Sequence, residues 1–108
     1  MPAESHAAVG RNIHIVTLRC KSAGHASQCL GALESYGRPD ALAYGCQSYE
    51  FGRKAGDDTT VVLVERWAHF DQLDRLLTEK VVPALPNYNA LLVRDFDPSQ
   101  DTMRIPLA

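Results

Sequence analysis

The sequence lacks the features that mark several large function classes. Basic residues are not in excess: Lys plus Arg number 11 against 13 Asp plus Glu, a formal net charge of −2. Without a basic run there is no electrostatic footprint for nucleic acid, and no such partner is expected. Long apolar runs are also missing. The longest strongly apolar one, Val61 to Val64, falls far below the roughly 20 residues that span a bilayer, so no membrane is expected. The start, Met1 to Asn12, has no apolar core of signal-peptide type and carries Glu4 and His6, so a cytoplasmic protein is expected. Cysteines are few. Cys20, Cys29 and Cys46 make an odd count, and their spacing fits neither a disulfide framework nor a zinc motif. The four histidines show no H-x-H or H-x-x-x-H spacing, so no metal is expected, and no signature of a flavin or other cofactor site is present either.

What remains is a small globular domain. The chain has 108 residues, enough for one domain, and 45% are hydrophobic, enough for a core. A domain this small leaves much apolar surface open unless a partner covers it.

The pattern along the chain alternates in type. Asn12 to Cys20 is apolar and β-branched, which predicts a strand. Ile13, Ile15 and Thr17 share one of its faces; His14, Val16 and Leu18 share the other. Both faces are largely apolar, so helices are expected on one and a second subunit on the other. Ser22 to Tyr36 has helical spacing, with Ser22 as N-cap and Gly37 as the stop, and Arg38-Pro39-Asp40 then reads as a loop. Leu42 to Phe51 reads as a second strand with Leu42, Tyr44, Cys46, Ser48 and Glu50 on one face; Gly45 suggests a bulge or close backbone contact. Arg53 to Asp58 is a polar hairpin loop, and Thr59 to Trp67 the best-marked strand. Phe70 to Val81 is amphipathic. Pro83 and Pro86 break it up, with Thr78 to Leu85 as a separate short helix. Tyr88 to Phe96 reads as the fourth strand. The expected division is a mobile tail over residues 1–11, a domain over 12–96, and a polar C-terminal tail over 97–108. The order β-α-β-β-α-β predicts an α+β, ferredoxin-like fold with an antiparallel sheet.

The stretch Glu65-Arg66-Trp67 closes a strand that follows Ala43-Tyr44-Gly45-Cys46 and the hairpin Gly56-Asp57-Asp58, and Phe70-Asp71-Gln72-Leu73 opens a helix after it. This arrangement, over roughly residues 12 to 96, resembles the antibiotic biosynthesis monooxygenase family. The resemblance implies a dimeric α/β barrel, a homodimer with a pocket in each subunit between sheet and helices. It also implies small aromatic or polyketide-like substrates oxidised by dioxygen, often without metal or flavin. It departs from the family pattern at Leu76 and Leu77, where many members carry a helical His. Haem-degrading relatives need that His as iron ligand, so haem degradation is not expected.

Candidate site residues each have a bland counterpart. His14, inside an apolar strand, is either a pocket base or a hydrogen-bonded core histidine. Glu65 is either an acid or base, or half of a salt bridge or dimer contact. Tyr44 either orients a substrate oxygen through its hydroxyl or sends that hydroxyl to solvent. Trp67 is either a wall that stacks on a planar substrate or a core or dimer anchor. Asn12, Cys46, Leu76 and Leu77 complete the expected substrate-contacting set. Three functions compete at this level. They are a cofactor-independent monooxygenase acting on electron-rich aromatics, a non-oxidative isomerase or lactone-handling enzyme on the same scaffold, and a non-catalytic small-molecule-binding dimer.

Overall fold

The computed structural model describes residues 10–108. Glu4, His6 and nearly all of the expected N-terminal tail lie outside the described residues. Strand β1 (Asn12–Arg19) forms where the sequence predicts it, and Cys20 adds an isolated bridge to Leu92.

Helix α1 (Ala23–Ala32) starts at Ser22, whose hydroxyl accepts the His25 backbone N–H at 3.1 Å. It does not stop at Gly37. The chain widens into a π turn, Leu33–Gly37, and resumes as α2 (Arg38–Ala43), so the loop expected at Arg38-Pro39-Asp40 is helical. The reason lies in Pro39. In an unbroken α-helix it would remove one hydrogen bond and press its ring on the carbonyl four residues back. In the π turn the Arg38 N–H bonds to the Leu33 carbonyl instead. Pro39 then falls in the first turn of a fresh α segment, where no N–H is needed. The second helical region repeats this device. Helix α3 (Phe70–Leu76) passes through a π turn, Leu77–Val81, into α4 (Val82–Asn89), with Pro83 in the first turn of α4. The prolines therefore do not break the helix there, and no separate helix runs from Thr78 to Leu85.

Two strands sit elsewhere than expected. Strand β2 is Ser48–Lys54, because Leu42 and Ala43 finish α2 and Tyr44 caps it. Gly45 then takes φ +105°, and the N–H groups of Gly45 and Cys46 return to the carbonyls of Leu42 and Ala41. That is a Schellman ending, which needs a residue free to enter the left-handed region. The face expected to run from Leu42 to Glu50 therefore does not exist. β2 and β3 (Asp57–Trp67) meet through a tight turn at Ala55-Gly56, shorter than the expected loop. The expected strand at Tyr88 to Phe96 reduces to the single Leu92 bridge. After the short helix α5 (Pro98–Asp101), the fourth strand is β4 (Thr102–Pro106), within the segment expected to be a tail.

The sheet order is β2-β3-β1-β4, with every neighbouring pair antiparallel. The βαββαβ chain order and the ferredoxin-like α+β class both stand. Register assigns the faces. Val16, Leu18, Val61, Leu63 and Trp67 lie on the helix-covered face and form the core with Cys29, Leu33, Leu73 and Leu76. Ile13, Ile15, Val62, Val64, Met103 and Ile105 lie on the opposite face. No helix of the described residues is long and apolar enough to cross a membrane.

Asp101 fastens β4 to the body. Its buried carboxylate accepts from Arg94 at 2.6 and 3.0 Å, from Arg19 at 3.3 Å and from the Asp97 N–H at 2.9 Å. Burial alone would raise its pKa, but the hydrogen bonds from Arg94 and Asp97 prevail and hold it below the usual carboxylate range. A depressed folded-state value contributes stability above the unfolded value, and that contribution fades as pH falls through the folded one. Native protein should therefore lose stability on acidification below about pH 4, and Asp101→Asn should flatten this acid limb. Thermal melts at stepped pH check this; identical limbs for the two proteins would refute it.

Candidate active site

One row of side chains crosses all four strands on the helix-covered face. In register it runs Tyr49 (β2), Glu65 (β3), His14 (β1), Arg104 (β4). The rungs on either side are mostly apolar: Phe51, Leu63, Val16 and Thr102 on one side, Trp67, Asn12 and Pro106 on the other. A polar row inside an apolar layer is costly unless its members satisfy one another.

They do so around Glu65. Its Oε1 accepts the Trp67 indole N–H at 3.0 Å and lies 2.9 Å from His14 Nδ1. All three residues are buried, with His14 at 3%, Glu65 at 4% and Trp67 at 0% exposure. A carboxylate has no proton to give, so the hydrogen of the His14–Glu65 contact sits on Nδ1. In the neutral imidazole this leaves Nε2 with its lone pair. Nε2 has no protein partner among the described residues, and Arg38 Nε is the one fully buried side-chain polar atom there without one. Nε2 is therefore not sealed from solvent.

Arg104 continues the row at the edge strand. Its guanidinium lies 5.1 Å from the centre of the Phe70 ring and donates to Asp74 Oδ1 at 2.7 Å. Sequence reasoning misses Arg104 because β4 lies in a stretch that reads as polar tail, and with it the helix residues Phe70 and Asp74 that Arg104 meets. The clue was available in Met103 to Ile105, a short apolar-Arg-apolar alternation.

The other candidates fall around or away from this row. Asn12 donates to the Ala68 carbonyl at 2.8 Å and pins the end of β3 beneath Trp67. Leu76 is core and Leu77 packs partly against it. Cys46 sits in the turn after Gly45, its thiol 3.1 Å from the Ser48 carbonyl. Burial first, then the Glu65 charge, push that thiol up to about 11, so it stays protonated. Tyr44 is not brought to His14. As the cap of α2 it donates to Glu79 at 2.5 Å on the exposed surface, and that bond raises its pKa. Cys20 and Cys29 are buried, and burial raises both thiols.

A cleft of about 510 Å³ opens on the other side of the sheet beside Thr17, Arg19, Lys54 and Thr60. Its polar groups are largely committed: Arg19 to Asp101, and the Thr59 and Thr60 hydroxyls to Asp57. No group of three or more metal-ligating side chains gathers among the described residues.

No family model matches the chain, and no curated protein sequence matches it. Solved structures do match. A conserved protein from Methanosarcina mazei superposes with a TM-score of 0.76 at 10% identity, covering 96% of this chain and 99% of that one. A candidate antibiotic biosynthesis monooxygenase from Deinococcus radiodurans gives 0.73 at 19% identity over 90% and 92%. A Streptomyces coelicolor monooxygenase, solved with the ligand nanaomycin D, gives 0.72 at 13% identity over 94% and 89%. The chain shares its fold with these solved structures. Within that fold, His14, Glu65 and Trp67 occupy the helix-covered side of the sheet.

Proposed function

We propose that the protein is a homodimeric monooxygenase that uses no metal or flavin and acts on small electron-rich aromatic or polyketide-like molecules. The observation that carries this reading is the buried His14–Glu65 pair with Nε2 unengaged. Glu65 fixes the tautomer and the ring, and Trp67 holds Glu65. Nε2 is then a positioned base, the single group such chemistry demands of a protein. It removes a proton from the acidic carbon or phenol of an anthrone or hydroquinone. The resulting carbanion or phenolate is electron-rich enough to reduce dioxygen itself. A carbon–oxygen bond forms and the peroxide takes up a proton. Loss of water then breaks the O–O bond and leaves a carbonyl. One oxygen atom enters product and the other leaves as water. The test is oxygen uptake by purified protein, with chelator present, across a panel of anthrones and hydroquinones. Absence of uptake above a protein-free control on every substrate would sink the reading.

The homodimer rests on the face opposite the helices. Val64 is 38% and Met103 55% exposed there, beside Ile13, Ile15, Val62 and Ile105. A contiguous apolar sheet face of this kind marks an interaction surface, and a second copy supplies a matching one. Val64→Lys places a charge at its centre. Light scattering at micromolar concentration should give twice the chain mass for native protein and the chain mass for the variant. A native monomer would overturn the dimer.

A further inference from the structure

We propose that Arg104 anchors an anionic oxygen of the substrate, so that the site takes planar aromatics carrying a carboxylate or ionised phenol, with Asp74 holding the guanidinium until the substrate displaces it. This rests on the reading of His14 as the site's base and adds the substrate's charge.

Placement comes first. Arg104 is the register partner of His14 on the neighbouring strand, on the same helix-covered face. Direct partners in an antiparallel pair stand roughly 5 Å apart at Cα. A molecule that meets Nε2 is therefore within reach of the guanidinium.

Charge comes second. Arginine stays protonated at any working pH and offers a planar fork to a carboxylate or phenolate. Here the fork lies against the Phe70 ring, which orients it and supplies an apolar wall for an aromatic ligand.

Availability comes third. Its only described anionic partner is Asp74, and both side chains face water, at 36% and 56% exposure. Exposed pairs of this kind add little to stability, so exchange of one carboxylate for another is cheap. The alternative occupants of Arg104 are unsuited. Glu65 is already engaged by His14 and Trp67. Elsewhere the space under the helices is filled by Trp67, Leu73 and Leu76. The Arg104–Asp74 bridge ties α3 to β4 at the edge of the sheet, on the strand next to His14.

The test is equilibrium binding by calorimetry, under nitrogen, of 2-naphthoate and of the neutral isostere 2-naphthamide. Native protein should prefer the anion by about tenfold or more. Arg104→Gln should abolish that preference, and Arg104→Lys should keep part of it. Asp74→Asn, which frees the arginine without removing it, should bind the anion at least as tightly as native protein. A merely structural tie between α3 and β4 predicts the opposite for that variant. Equal affinity of native protein for the two probes, failure of both to bind at millimolar concentration, or a preference that survives in Arg104→Gln would overturn the proposal. No oxygen is consumed in this experiment, so a protein that fails the uptake assay can still pass it, and the reverse.

Discussion

Replacing His14 with Asn is expected to lower substrate-dependent oxygen uptake by about 10²–10⁴-fold, the usual contribution of a positioned general base. Asn is chosen because its amide N–H can stand near the position of Nδ1 and still donate to Glu65, which otherwise keeps only the Trp67 bond. A buried carboxylate stripped of a partner would destabilise the fold and confuse the result. With that donor retained, circular dichroism and the melting temperature should stay close to native while uptake falls. An unchanged rate in a folded variant would remove His14 from the chemistry.

The largest effect on stability is expected at Trp67. It is fully buried and packs at the centre of the core. Trp67→Ala should cost about 3–5 kcal/mol through lost packing and the cavity left behind. Trp67→Phe keeps most of the apolar contact but leaves Glu65 one donor short. Its expected cost is about 1–3 kcal/mol, the usual penalty for a buried group left unsatisfied. Urea denaturation of the three proteins separates packing from hydrogen bonding. A Phe variant as stable as native protein would mean that the indole N–H contributes nothing to holding Glu65.

The parts of the fold legible in the sequence are those governed by strict alternation. β1 and β3 carry it, and the faces read for them match the register: His14, Val16 and Leu18 on one side of β1, Val61, Leu63, Glu65 and Trp67 on one side of β3. The parts that were not legible depend on tertiary accommodation. Pro39 and Pro83 look like helix breakers because nothing local announces a π turn before them. Leu42 to Cys46 looks like a strand because five residues are too few to tell apolar alternation from the last turn of a helix. The Tyr88 to Phe96 segment is apolar enough for a strand, yet only Leu92 finds a partner. For the site, His14, Glu65 and Trp67 could be nominated singly by burial and chemistry. Their convergence could not, since pairing between β1 and β3 is invisible without the register. Tyr44 belongs to a helix cap and not to the strand its alternation suggests, and the strand of Arg104 lies in a stretch that reads as tail.

The row Tyr49–Glu65–His14–Arg104 also dictates when the site can come into being. Its four members belong to four strands, and Arg104 lies 90 residues after its partner His14 (104 − 14). During synthesis β1 must wait for every other described element to emerge before β4 can pair with it. That is a contact of very long sequence separation, the kind that forms slowly. Until then His14 and Glu65 have lost the edge strand beside them, and the nascent sheet presents β1 as an unpaired border open to other chains. The order of assembly thus couples completion of the row to closure of the sheet, so that a chain still lacking β4 has neither.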